Sequence, residues 1–223
     1  MRLFLAVSAL AVVTIASSAP AALIIHETPA GADINGLPVS ASATLTTSAG
    51  HITLVLENLQ ADPKGVAQNL SGFFFTISTG QTAGTLSSSS SVPRTVASDG
   101  TYTDDVAVAA GWLLSTSGDE LQLNVLGTPI GPAHTLIGPP HASGEYKTAK
   151  GSIAGNGPHN PFLAESATFE LDVPGVTANS RIPHVTFAFN TTPGDTITTP
   201  EPTTMGLLAL GGLAALKRRR KRL

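Results

Sequence analysis

The sequence predicts an all-β fold, an antiparallel β-sandwich of jelly-roll-like arrangement, on two observations. Charged residues make up only 12 % of the chain and aromatic residues 5 %, and the remainder is rich in Gly, Ser, Thr, Ala and Pro. This composition is typical of short strands joined by turns and argues against a charged helical bundle. Short runs of alternating apolar and polar residues also recur along the chain, separated by Gly and Pro.

Seven runs are predicted strands because apolar side chains alternate in them or cluster over four to eight residues. They are 52–59, 73–78, 106–109, 112–115, 121–126, 167–173 and 184–190. The residues of 61–65 are typical of a turn, 82–91 is predicted to be a Thr/Ser-rich loop, and 151–162 is predicted to be a structured glycine-rich loop. The chain shows neither a helical period of useful length in this region nor an internal repeat, so any helix should be short and a solenoid is not favoured.

The chain has no cysteine, which excludes disulfides, thiolate zinc sites and a cysteine nucleophile. The formal net charge of −3 is unevenly distributed, because the region between the two termini holds five basic and fourteen acidic residues. An acidic region of this kind repels phosphate backbones, so nucleic-acid binding is not expected.

The N-terminus is typical of a secretory signal peptide. Arg2 supplies a positive charge, 3–15 is apolar, and Ala19 and Ala21 place small residues at the −3 and −1 positions of a signal-peptidase site. We therefore expect a signal helix in 1–21 with cleavage after Ala21. The alternative is a buried N-terminal helix.

The C-terminus combines three features in order: a proline-flanked glutamate, an apolar stretch over 205–216 and a basic cluster. Their residues are Pro200, Glu201 and Pro202, and then Lys217, Arg218, Arg219, Arg220, Lys221 and Arg222. The basic cluster resists transfer across a membrane and so acts as a stop-transfer element. Twelve residues give about 18 Å of helix, against about 30 Å of hydrocarbon, so this short transmembrane segment suits a transient contact with the inner membrane. A proline-rich linker and a basic nucleic-acid patch are the alternatives for these features.

This tail resembles the PEP-CTERM sorting signal of Gram-negative, exopolysaccharide-producing bacteria, which is also described as the C-terminal domain of ice-binding proteins. The resemblance covers about 25 residues and leaves the body, 22–190, and a Thr/Pro/Gly linker, 191–199, in an uncharacterised family. It implies that signal peptidase and an exosortase process the protein, which passes through the inner membrane to the cell surface or extracellular matrix.

Two groups of residues in the body are candidate metal ligands. His134, His141 and His159 follow Gly-Pro turns and could bind zinc or copper, but their spacing matches no known helical or ribbon site. Asp99, Asp104 and Asp105 are candidate calcium ligands, and an acidic turn before a strand explains them as well. We expect no metal and no cofactor.

Catalysis has little support in the sequence. The serines lie in no Gly-x-Ser-x-Gly elbow. Asp119, Glu120 and Glu165 could pair across a cleft, as the carboxylates of glycosidases do. We expect a non-enzymatic protein, structural or adhesive in an exopolysaccharide matrix, and the alternative is a secreted carbohydrate-binding or carbohydrate-active protein. Ice binding requires a flat array of threonines, and those of 44–47 and 196–199 are few and far apart.

Overall fold

A computed structural model describes residues 22–199. The predicted signal peptide, 1–21, and residues 200–223 of the predicted sorting signal, with the helices predicted in both, lie outside these residues. The strands are β1 (Ala22–Glu27), β2 (Asp33–Ile34), β3 (Leu37–Pro38), β4 (Ala41–Ser48), β5 (His51–Asn58), β6 (Leu70–Phe75), β7 (Thr85–Val96), β8 (Tyr102–Asp104), β9 (Leu113–Ser117), β10 (Glu120–Asn124), β11 (Leu136–Ile137), β12 (Phe162–Asp172), β13 (Val185–Phe189) and β14 (Thr196–Thr199). The one helical element in this range is a 3₁₀ turn, Val66–Gln68. No helix between residues 22 and 199 has the length and apolar character needed to span a bilayer.

Twelve of the strands form one continuous sheet with two branches. The first branch runs β1-β4-β5-β12-β7-β8, and the second runs β14-β13-β6-β10-β9. The short strand β11 joins them, since it pairs with β12 in parallel and with β6 in antiparallel orientation. The prediction of an all-β, mainly antiparallel fold is confirmed. The division into two sheets of a sandwich, and its jelly-roll-like order, stay predictions.

Alternation along each strand builds one main core that takes side chains from both branches. In β5, for example, Ile52, Leu54 and Leu56 are fully buried. Aromatic rings pack within the core: Phe73 lies 5.3 Å from Phe187 between ring centroids, and Trp112 lies 5.3 Å from Phe169. A second, smaller apolar cluster forms around Tyr146 and Phe162.

Six of the seven predicted strands overlap strands of the structure, namely β5, β6, β9, β10, β12 and β13. The run 106–109 does not form a strand and contributes a single bridge, from Val108 to Ser91. The loop predicted over 82–91 was wrong, because the serine run lies in the 12-residue strand β7 and pairs with β12, while β8 pairs with the C-terminal end of β7. Residues 196–199 of the predicted linker form β14, which pairs with β13.

Candidate functional site

A buried arginine organises a polar cluster at the end of the first branch. Arg94 lies in β7 and is 4 % exposed. Its Nε and Nη2 donate to the two carboxylate oxygens of Asp104 on β8, each at 2.7 Å. Its Nη1 donates to the carboxylate of Glu165 at 2.9 Å and to the hydroxyl of Tyr146 at 3.0 Å. Burial alone would lower the pKa of Arg94, but the hydrogen bonds to Asp104, Tyr146 and Glu165 outweigh it and raise the pKa, so the guanidinium stays charged.

Two tyrosines enclose the guanidinium. The Cζ atom of Arg94 lies 4.1 Å from the ring centroid of Tyr102, a cation–π contact. Tyr102 meets Tyr146 edge-on at 5.7 Å between centroids. The hydroxyl of Tyr146 donates to the carbonyl of Gly138 at 2.8 Å. Burial raises the pKa of Tyr146 to about 12, against the opposing hydrogen bond from Arg94. The phenol is therefore neutral at physiological pH and acts as a hydrogen-bond bridge.

Glu165 reaches this cluster through an irregularity in β12. The register of β12 against β7 shifts between Leu163 and Ala167, and Glu165 has a φ of 61°, a backbone region in which residues other than glycine are uncommon. Bulges of this kind redirect a side chain. The side chains of Glu165 and Asp104 are 48 % and 37 % exposed. The cluster thus carries one cation and two carboxylates, and the carboxylates can accept hydrogen bonds from a hydroxyl-bearing ligand at the surface.

The structure does not bring the predicted calcium ligands together into one site. Asp99 accepts hydrogen bonds from the backbone N–H and hydroxyl of Thr101, which lower the pKa of its carboxyl. Asp104 binds Arg94, and Asp105 accepts from the backbone N–H of Val106 at 2.7 Å. No group of three or more His, Asp or Glu side chains arranged to hold a metal occurs in the described part of the chain.

The three candidate histidine ligands are engaged separately. His134 is buried, and its Nδ1 donates to the carbonyl of Ala110 at 2.9 Å. His141 is exposed, and its Nδ1 accepts from the backbone N–H of Ser143. The Nδ1 of His159 donates to the carbonyl of Ser152 at 2.7 Å. His159 thereby helps to order the loop 151–162, which buries Ile153 in the smaller core.

The three carboxylates considered for catalysis lie on different elements. Asp119 lies in the turn before β10, and Glu120, the first residue of β10, accepts from the amide of Gln122. Glu165 lies in β12 and binds Arg94. The groove walls described below contain none of the three.

On the first branch, the side chains that alternate with the core residues are mostly hydroxyl and carboxylate groups. The cross-strand register aligns these residues in rows, and Val55 interrupts one row between Thr44 and Thr168. We call the polar residues of these rows the polar face, in which Ser42 is 5 % exposed: Ser42, Thr44, Thr46, Thr53, Glu57, Ser88, Ser90, Ser166, Thr168 and Glu170. Hydroxyls donate to carboxylates across neighbouring strands, at 3.0 Å from Ser42 to Glu57 and at 2.8 Å from Thr53 to Glu170. Threonines that are distant in sequence therefore become neighbours on one surface.

The polar face ends at an apolar edge. Strand β1 pairs with β4 alone among the described strands, and its Leu23 and Ile25 are 66 % and 51 % exposed. A groove of about 430 Å³ lies beside β1 and is lined by β1 and by the loop 178–183. Two smaller grooves, of about 260 Å³ and 390 Å³, lie elsewhere on the surface.

Arg94 is the residue that the sequence prediction missed. It is one of only five basic residues between the two termini, and it lies at an alternating position of an otherwise uncharged run, Ser-Val-Pro-Arg-Thr-Val. A cation that is buried in such a run needs an acidic partner, and Asp104 and Asp105 follow within eleven residues. A single basic residue in an uncharged strand-like run, with two acids close in sequence, could have indicated a buried ion pair.

Comparison with known proteins identifies only the C-terminal segment. Residues 198–221 match the model of the PEP-CTERM protein-sorting motif. No curated protein and no solved structure matches the chain. The motif marks an exported bacterial protein that is processed by an exosortase and sorted to the cell surface. This chain carries the motif at the predicted position, with Pro200, Glu201 and Pro202 inside it, and that prediction is confirmed.

Proposed function

We propose that the folded body serves as a structural or adhesive component of an exopolysaccharide matrix, to which the sorting motif delivers it. In this proposal signal peptidase removes residues 1–21, the basic cluster holds the C-terminus at the inner membrane, and an exosortase releases the body near Pro200. The polysaccharide is the partner, and the mature protein remains in the extracellular matrix of a Gram-negative host.

The observation that supports a matrix role is the polar face. Polysaccharides present dense rows of hydroxyls, and a surface with rows of hydroxyls and carboxylates can exchange hydrogen bonds with many of them at once. Each such bond is weak on its own, because it replaces a bond to water. Many parallel contacts to a long polymer nevertheless add up to retention, which is the requirement for an adhesive or structural protein.

The matrix contact is tested by co-sedimentation of the mature protein with exopolysaccharide isolated from the host. The double variant Thr44→Val and Thr168→Val removes two hydroxyls at nearly constant volume, and we expect about a threefold to tenfold lower bound fraction. The matched control is Thr116→Val with Thr192→Val, two exposed threonines on β9 and on the turn before β14 in the second branch, and it should bind like the wild type. Equal binding by all three proteins would exclude the polar face as the contact surface.

Delivery is tested separately, by mass spectrometry of the mature protein from its native host. We expect an N-terminus at Ala22 and a C-terminus between Thr199 and Pro202. Replacing the six basic residues of 217–222 by glutamine should abolish both the retention of the precursor at the inner membrane and the cleavage of its C-terminus. An intact Arg222 on the surface-exposed wild-type protein would contradict exosortase processing.

A second candidate function, carbohydrate binding or cleavage at a defined site, is favoured by the two partly exposed carboxylates at Arg94. Glu165→Gln keeps the shape and removes the charge. If this site acts on polysaccharide, Glu165→Gln should abolish the release of reducing ends, or reduce affinity for a defined oligosaccharide, while Glu120→Gln should change neither.

A further inference from the structure

The sorting motif begins inside a strand of the folded body. The match starts at residue 198, whereas β14 extends to Thr199. Pro200 follows directly, so no unpaired residue separates the sheet from the proline-flanked glutamate. The predicted linker, 191–199, is therefore folded at its C-terminal end.

Several contacts hold β14 on the body. All four of its residues pair with β13, and the last pair joins Thr199 to Val185. Thr199 is 3 % exposed, and Ile197 packs against the main core. The hydroxyls of Thr186 and Thr198 lie 3.1 Å apart across the pair.

Hydrogen bonds also stabilise the turn before β14. Asp195 accepts a hydrogen bond from the side-chain amide of Asn190 at 2.6 Å. Its backbone carbonyl accepts from the N–H of Phe189 at 2.8 Å. These contacts fix the point at which the chain turns from β13 into β14.

A peptide-processing enzyme binds its substrate in extended form, with residues on both sides of the scissile bond in its cleft. Thr198 and Thr199 cannot enter such a cleft while they are paired with β13. A four-residue strand that pairs with β13 alone among the described strands opens at low free-energy cost compared with global unfolding. Local opening of β14 is thus the least costly way to expose the motif from its N-terminal side.

We propose that β14 must separate from β13 before the exosortase acts, so that docking of this strand slows processing of the folded body. The inference rests on exosortase processing of this chain and adds its control by the fold. Processing is then fastest on chains that have just crossed the membrane, before β14 docks, or on bodies in which β14 has opened.

A disulfide across the pair tests this directly. The chain has no cysteine, so Thr186→Cys with Thr198→Cys introduces one defined pair at positions that face each other, and an oxidising periplasm can close it. In pulse-chase labelling in the native host, we expect the cross-linked precursor to be processed at least about tenfold more slowly than the wild type. The single variants Thr186→Cys and Thr198→Cys, and the double variant kept reduced, should be processed at the wild-type rate.

A second variant tests the inference without a cross-link. Ile197→Ser removes the apolar anchor of β14 and should speed processing several-fold, with Ile130→Ser, at an exposed turn, as its control. Cross-linked precursor processed as fast as the reduced form, or an unchanged rate for Ile197→Ser, would overturn the inference. A wild-type chain that stays unprocessed in the same host would instead contradict exosortase processing, and the inference with it.

Discussion

Replacement of Arg94 by methionine is the sharpest test of the polar cluster. The change keeps an unbranched side chain of similar reach and removes the guanidinium. Asp104 loses two charge-assisted hydrogen bonds and Glu165 loses one. Tyr146 keeps its bond to the carbonyl of Gly138.

The expected loss follows from the exposure of the two acids. Removing one partner of a buried ion pair costs about 3–5 kcal/mol when the other charge stays buried. Asp104 and Glu165 are 37 % and 48 % exposed and regain water, so we expect the lower end, about 3 kcal/mol. For a domain of this size that corresponds to a fall in Tm of about 6–12 °C.

Urea unfolding of the mature protein, followed by fluorescence, measures this loss. The chain has a single tryptophan, Trp112, which is 2 % exposed in the main core, so its emission reports the global transition. Arg181→Met, at an exposed arginine, is the matched control and should change the free energy of unfolding by less than about 0.5 kcal/mol. Arg94→Lys keeps the charge without the planar fork and should fall between the two.

Removing the two acids together with Arg94 should recover part of the lost stability. If Arg94→Met destabilises by leaving acids without a partner, then adding Asp104→Leu and Glu165→Leu should restore much of the loss, because an apolar replacement of a complete ion cluster is often neutral. A loss below about 1 kcal/mol for Arg94→Met, or no recovery in the triple variant, would refute the assignment of the loss to acids left without their cation.

Three further predictions concern single residues. Burial raises the pKa of Tyr146 to about 12, from about 10 in the unfolded chain. The neutral phenol therefore contributes fully to stability below pH 10, and this contribution is lost as the pH rises from 10 to 12. In Tyr146→Phe, the free energy of unfolding should depend less on pH over this range. Burial lowers the pKa of His26, so the unfolded chain binds a proton more readily and stability should fall as pH drops below about 6.5, a loss absent from His26→Leu. A Cβ on Gly138 would overlap the carbonyl oxygen of Gln60, so Gly138→Ala should cost about 2 kcal/mol or more in thermal or urea unfolding, whereas Gly151→Ala, in open space, should stay within about 1 kcal/mol.

The strands that sequence analysis found are those whose own residues alternate. In β5 and β12 apolar side chains occupy every second position, and the pattern alone predicts both. Strand β7 was missed because serine is typical of turns and the serine run shows no alternation of apolar and polar residues. The serine run forms a strand because β12 offers its backbone as a partner. Its hydroxyls also find acceptors such as the carbonyl of Ser166, at 2.6 Å from Ser91.

The candidate site was predictable only in part. Asp104 and Glu165 were each noted, but for calcium binding and for catalysis, and Arg94 was not. Arg94 and Glu165 are 71 positions apart, and nothing local in either segment indicates that a bulge in β12 directs the glutamate to the guanidinium. The polar face was missed for the same reason, because its threonines are close only through the strand register.

The sequence by itself identified the C-terminal sorting motif, because the order of a proline-flanked glutamate, an apolar stretch and a basic cluster is a local, linear property of the chain. It also determined the all-β class, since strand alternation is a local property. Only the tertiary structure decided which acids Arg94 neutralises, which hydroxyls share a face and how closely β14 approaches the sorting motif. Those features depend on contacts between segments that meet only when the chain folds, and a local pattern carries no record of such contacts.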